Sequence, residues 1–283
     1  MNKNIAELSR LISNSILTHT PIINLPQPPS AKPVGCGIYL KTDSARYLIS
    51  AGHLLNVDDW KKFIAPAGGD KMIWLNGVLA TTYNKNNDNL DIDFSVLRFS
   101  SRMNKHFTDE QWIFISNDQI LVNHKIDYNG YYFVAGYPIS GVKKKVGEAV
   151  FNPIPLKLIT QSILQKRYAK LGYSEEQFIL VEYRRKLQAF GAKQAQITKE
   201  IQGISGSGLW YVPDFNDKDE NGIPKYFLVG IMTENHKDKG FLLALKIDFV
   251  TEIIIKAFAD KAFDHSSFNL TSNIPNIQIV QEL

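Results

Sequence analysis

Ile49-Ser50-Ala51-Gly52-His53, Asp91-Ile92-Asp93-Phe94-Ser95-Val96-Leu97 and Gly203-Ile204-Ser205-Gly206-Ser207-Gly208 follow one another in that order along the chain. The first is an apolar run that breaks at a glycine and ends in histidine. The second is an aspartate pair that leads into an apolar stretch. The third sets a serine inside a glycine-rich turn. Histidine, aspartate, serine is one of three unrelated chain orders in which a base, an orienting acid and a nucleophile assemble for acyl transfer. Each segment alone is a weak signal. The order of all three, in a chain of 283 residues, is what decides the reading.

A reactive serine needs its oxygen projected from a tight turn, with amide hydrogens facing the position where a carbonyl oxygen becomes negative. Gly203 and Gly206 flank Ser205 with residues able to adopt positive φ. The backbone amides of Gly203 and Ser205 are then the natural oxyanion donors. The competing reading is a flexible glycine-serine loop, and the apolar run Leu209-Trp210-Tyr211-Val212 directly after it argues for a rigid turn into a strand. His53 is the one of six histidines that stands at the end of an apolar strand-like run. Of the two aspartates, Asp93 immediately precedes the apolar run, so it is the expected partner of the imidazole, and Asp91 is a loop acid. A G-x-S-x-G nucleophile elbow is absent, because Ser207 stands two residues after Ser205, and His53 precedes the serine instead of following it.

Working outward, short strand-like runs separated by turn residues occupy 37–41, 46–50, 72–75, 78–83 and 94–99, and then 131–137, 146–151, 178–183, 208–212, 226–233 and 241–245. No alternation of strand and helix appears, so the class is all-β, a barrel or a sandwich. Ile5, Leu8, Ile12 and Ile16 recur at helical spacing and predict an amphipathic N-terminal helix. Pro21 ends it, and the proline-rich stretch to Pro33 must be extended. Helices are also predicted over 159–171 and 248–263, and a loosely held polar tail from 264. The loop 216–224 is polar and acidic, but lacks the flanking helices and downstream glutamate of a calcium loop.

Composition narrows the function. Hydrophobic residues make up 44%, enough for a large core, and the net charge is only +4. The basic clusters Lys143-Lys144-Lys145 and Arg184-Arg185-Lys186 read as solvated strand ends, so no nucleic-acid partner is expected. No window approaches the roughly 20 apolar residues of a membrane span. The single cysteine, Cys36, allows no internal disulfide and fits a reducing, cytoplasmic setting. It lies between two glycines in a strand-like run, where a small core residue is expected. No phosphate loop, dinucleotide fingerprint or paired metal-ligand spacing occurs, so neither cofactor nor metal is expected.

These segments resemble the trypsin-like, chymotrypsin-fold serine peptidases, in a bacterial-type cytoplasmic form. Residues 49–55 are similar to the family's histidine motif, 93–97 to its aspartate motif, and 203–208 to its Gly-Asp-Ser-Gly-Gly motif. Gly35-Cys36-Gly37-Ile38-Tyr39-Leu40, Val134-Ala135-Gly136-Tyr137-Pro138 and Leu228-Val229-Gly230-Ile231 are similar to further strands of the same fold. The resemblance implies two antiparallel β-barrels with the active site between them. The first barrel is expected over 34–115, carrying His53 and Asp93. The second is expected over 116–263, carrying Ser205, with a partly helical insertion at 151–199 and a C-terminal helix. Residues 1–33 are a helix and extended arm, and 264–283 a tail. Ile204 replaces the acid usual before the serine, which implies no zymogen-type activation. Counting back from Ser205 puts Lys199 at the base of the specificity pocket, and Thr233, Glu234 and Asn235 resemble the segment that pairs with substrate. The implied activity is endopeptidase hydrolysis of a protein or peptide, restrained by a regulatory protein partner or by the non-core segments. The alternative is a catalytically silent member used as a binding module.

Overall fold

A computed structural model describes residues 3–28, 30–68, 71–83, 92–107, 113–139, 142–143, 152–183, 186–187, 196–197, 201–267 and 277–281. The chain opens with helix α1 (Lys3–Thr18), which buries Leu8, Ile12 and Ile16 along one stripe. Strands β1 (Ile22–Gln27) and β2 (Ser30–Cys36) follow as an antiparallel hairpin. Then come β3 (Ile38–Lys41), β4 (Arg46–Ser50), β5 (Ile64–Gly68), β6 (Lys71–Trp74), β7 (Gly77–Thr81), β8 (Ser95–Phe99) and the short helix α2 (Ser101–Asn104).

These strands close a ring. β1 meets β5 through Asn24 and Ile64, and β5 pairs with β6. β6 leads through Leu75 and Asn76 into β7, and β7, β8, β4 and β3 are successive antiparallel neighbours. β3 leads back through Gly37 into β2, which pairs with β1. The interior is filled by Ile23, Tyr39, Leu48, Trp60, Leu79 and Leu97. β4 buries both faces: Leu48 points into this barrel, while Tyr47 and Ile49 point outward into a second apolar cluster. That is why its sequence is continuous instead of alternating.

The second lobe holds β9 (Tyr131–Gly136), β10 (Val142–Lys143), β11 (Asn152–Pro153), β12 (Leu156–Thr160), α3 (Gln165–Leu171), β13 (Phe178–Glu182), β14 (Lys186–Leu187), β15 (Gln196–Ile197), β16 (Gly208–Val212), β17 (Phe227–His236) and β18 (Phe241–Lys246). Six of them form one antiparallel sheet in the order β12-β9-β16-β17-β18-β13. Its two ends meet where Ser162 bridges Val181, with Glu182 N–H donating to Gln161 O and Ile163 N–H to Leu180 O, both at 2.9 Å. Val134, Leu209, Val229, Leu242 and Ala244 fill this barrel. Helix α4 (Asp248–Phe258) sends Phe249, Ile253 and Ile254 into the cluster between the lobes, with Ile38, Ile49 and Val96 from one side and Phe133, Trp210 and Leu243 from the other. The result is all-β, two antiparallel barrels with N- and C-terminal helices, as expected.

Several expectations need correction. Residues 22–27 and 30–36 are extended, but they are not an arm: their hairpin supplies barrel strands. The helix expected over 159–171 is shorter, because 156–160 is β12, and Leu158, Ile159 and Thr160 pair across with β9. Apolar spacing over so short a run does not separate strand from helix, and the β-branched pair at its end favours strand. α4 stops at Phe258, where Ala259 turns left-handed at φ 53°. The polar tail returns to the first barrel, as β19 (Gln278–Gln281) pairs with β7. The strand expected over 146–151 lies outside the described residues. Among the described residues, no helix is long and apolar enough to cross a membrane, and no group of three or more metal-ligating side chains gathers.

Candidate active site

β4 ends at Ser50, and the chain turns at once, with Leu54 N–H donating to Ala51 O. His53 sits at the top of that turn. Its backbone N–H donates to Asp93 Oδ1 at 2.8 Å, and its Nδ1 lies 2.6 Å from Asp93 Oδ2. Both carboxylate oxygens are thus committed to one residue. The pairing fixes the ring orientation and leaves Nε2 as the nitrogen free to act as base, with no partner among the described residues. Asp93 stands two residues before β8 and is held there by Thr82, which bonds the residues on either side of it. The Thr82 hydroxyl donates to Ile92 O at 2.8 Å and accepts from Phe94 N–H at 3.0 Å. Ser95 adds a tie to the histidine turn, donating to Leu55 O at 2.9 Å. His53 is open to solvent, with 39% of its side chain exposed against 14% for Asp93. Partial burial pulls its pKa down, but the hydrogen bond and charge of Asp93, with the charge of Glu234, outweigh this and hold it above 6.5.

Ser205 stands on the other lobe in a turn stitched by Ile204 N–H to Ile201 O and Ser207 N–H to Ile204 O. Gly203 and Gly206 take φ of 99° and 83°, the left-handed region expected of them. Ile204 is buried among Ile201, Leu209 and Val229 in the second barrel's core. The turn is therefore anchored by apolar packing, where an acid would need a charge partner. The amide of Gly206 is spent on Met232 O. The amides of Gly203 and Ser205 have no partner among the described residues, which is the condition for a pair of oxyanion donors.

Cys36 joins the halves. Its N–H donates to Ser205 O at 3.0 Å, and its carbonyl accepts from Ser50 Oγ at 2.7 Å, three residues before His53. Its thiol is fully buried, donates to Gly203 O at 3.4 Å, and is pushed up to about 12 by burial. Cys36 is thus a strut, and its thiol is inert. Sequence reading placed it as a small core residue; its glycine neighbours were the available signal.

His53 and Asp93 are brought into direct contact. Ser205 is tied to the strand that leads to His53 through Cys36, but its hydroxyl donates to Thr233 O at 3.3 Å and makes no hydrogen bond to His53. Thr233 is buried, whereas Glu234 and Asn235 are exposed on β17. Asp91 and Lys199 lie outside the described residues. The contributions of Thr82, Ser95, Ser50 and Cys36 were not visible in the sequence.

No protein-family model matches the chain, and no curated protein matches it. Among solved structures, a scabies mite protein described as inactivated protease paralogue S-D1 superposes with a TM-score of 0.53, over 87% of this chain and 94% of that one, at 10% identity. The fold is the chymotrypsin-like double barrel. Likeness at 10% identity establishes the architecture alone.

Proposed function

We propose that this chymotrypsin-like chain is a serine endopeptidase that hydrolyses proteins or peptides through an acyl-enzyme. The observation that carries the reading is the double engagement of Asp93 with His53, with Cys36 linking the histidine strand to Ser205, whose turn leaves the Gly203 and Ser205 amides without a partner among the described residues. In this reading the Ser205 hydroxyl leaves Thr233 O for Nε2 of His53. His53 takes the proton as Oγ attacks the carbonyl carbon. Asp93 accepts from Nδ1–H and stabilises the imidazolium. The Gly203 and Ser205 amides donate to the new oxyanion, each worth on the order of 100-fold in turnover. His53 then protonates the leaving amine, and water repeats the cycle to free Ser205. A single buried thiol is compatible with a reducing compartment such as the cytoplasm, where in this reading a regulatory partner or the segments flanking the barrels would restrain the activity.

A second reading is a silent protease fold used for binding. It draws on the Ser205 hydroxyl resting on Thr233 instead of His53, and on the description of the scabies mite protein as inactivated. Cleavage of unfolded casein separates them. The wild-type protein cuts it, and Ser205→Ala lowers the rate by at least about 1,000-fold. Equal rates for the two proteins, or none for either, would refute the peptidase reading.

A further inference from the structure

Among the described strands, β7 would be the edge of its sheet if β19 were not there, since the order is β19-β7-β8-β4-β3. Gln278 stands opposite Thr81, Ile279 opposite Ala80, Val280 opposite Leu79 and Gln281 opposite Val78. Residues directly opposite share a face. Leu79 fills the first barrel, so Val280 is turned toward it and half-buried, whereas Ile279 on the outer face is 56% exposed. A strand that buries so little side chain adds little to the core. Its main effect is to occupy the hydrogen-bonding edge of β7.

The end of β7 that Gln278 covers is the end that holds the acid. Thr81 Oγ1 lies 2.6 Å from Ser95 Oγ and accepts from Tyr83 N–H at 3.2 Å. Thr82, the next residue, donates its N–H to Phe94 O at 3.1 Å, and its hydroxyl bonds both neighbours of Asp93. Asp93 is thus aimed at His53 from a strand end, and strand ends at a sheet edge are the first parts of a sheet to open. The C-terminal segment is also fastened before it reaches β7. Glu252 of α4 accepts from Ser266 N–H at 2.6 Å, and Asn123 Oδ1 accepts from Ser267 N–H at 2.7 Å. It therefore runs from the helix packed between the lobes to the strand whose end sets the acid.

We propose that β19 is a positioning strand: docked on β7, it keeps Thr81 and Thr82 in register and so keeps the Asp93 carboxylate on His53. The edge of β7 is a strand-acceptor site, and the C-terminal segment of the chain itself is its ligand. The effect on turnover rests on the peptidase reading, whereas the effect on the His53–Asp93 hydrogen bond does not.

The test uses the full chain with Ile279→Pro and Val280→Pro together. Adjacent strand residues point their N–H groups to opposite sides, so the pair removes a ladder donor in either phase. The control, Ile279→Thr with Val280→Thr, keeps strand propensity and every backbone N–H. Proton NMR follows the Nδ1–H resonance of the His53–Asp93 hydrogen bond and the His53 titration midpoint, and a fluorophosphonate probe reports the labelling rate of Ser205. In the proline variant the resonance is expected to weaken, the midpoint to move down as the imidazolium loses Asp93, and labelling to slow at least about tenfold, with a cooperative melt retained. The threonine variant is expected to match the wild type throughout. A proline variant with the wild-type resonance and midpoint overturns the proposal, as does a threonine variant that loses them equally. A proline variant that no longer folds overturns it as well, because β19 would then hold the barrel and not the acid. A weakened resonance with no labelling of the wild-type protein leaves the positioning strand standing and removes the peptidase reading. Wild-type labelling with an unchanged resonance, or with a rate that the prolines do not slow, does the reverse.

Discussion

A methyl group on Gly52 would lie 2.6 Å from Asp93 Oδ1 and 3.1 Å from the Phe94 amide nitrogen. Glycine is needed there because the acid comes so close to the backbone of the histidine turn. Gly52→Ala is predicted to push Asp93 off His53, costing about 1–3 kcal/mol in stability and at least about tenfold in kcat, read by thermal melts and casein assay. The same cluster sets a pH profile. In the peptidase reading the base form of His53 is the active one, so activity is predicted to rise as pH rises through its pKa, with a midpoint above 6.5 because Asp93 and Glu234 favour the imidazolium. Removing the Glu234 charge in Glu234→Gln takes away one of those stabilising charges, so the midpoint of the rising limb moves down. A midpoint that stays put or rises contradicts the placement. At this scale the sequence was legible for His53 and Asp93, since each stands where an apolar run breaks. Thr82, Ser50 and Cys36 were not legible, because their roles come from hydrogen bonds to residues distant in sequence.

In the proposed peptidase, the element that decides reactivity is the turn 201–207 between the second barrel's core and β16. Gly206 fits it only without a side chain: a Cβ there would lie 2.1 Å from Cys36 O and 2.3 Å from Ser50 Oγ, at a φ of 83°. Gly206→Ala is predicted to force the lobes apart at the seam and cost on the order of 2–3 kcal/mol, with loss of activity greater than the loss of fold, measured by denaturant melts beside casein assay. Glycines at 203 and 206 were readable as turn residues. That Gly206 is also the contact point of the lobes was not, since contact with Cys36 and Ser50 spans well over a hundred residues of chain. The strands were legible where β-branched and aromatic residues ran unbroken, as in 46–50 and 208–212. β12 was misread because its short apolar run has no decisive period.

For the whole molecule, α1 and α4 do what the barrels alone do not. Ile12 and Ile16 of α1 are fully buried against the second lobe, while β1, directly after it, enters the first. Ile12→Ala is predicted to cost about 2–4 kcal/mol, read as a lowered midpoint in urea. Two buried histidines set the acid limit of the fold. Burial holds His19 and His124 down to about 4, with the Lys246 charge adding to the effect at His124. Between 6.5 and about 4 the unfolded chain binds more protons than the folded one, so stability falls as pH falls through that window, by on the order of a few kcal/mol. His53, with its pKa raised, works weakly in the other direction. Melting temperatures that rise from pH 7 to pH 5 would contradict this. The two-lobed plan was legible from the order of the three segments. The return of the C-terminus to β7 was not, because nothing in a four-residue polar strand names its partner.

The central claim is that Ser205 is activated by His53. Incubating the full-length protein with a fluorophosphonate probe and locating the adduct by mass spectrometry tests it without knowledge of the natural substrate. The account predicts one adduct, on Ser205, lost in Ser205→Ala and slowed at least about 100-fold in His53→Ala. No adduct on Ser205 in the folded wild-type protein, or labelling unaffected by His53→Ala, would contradict it.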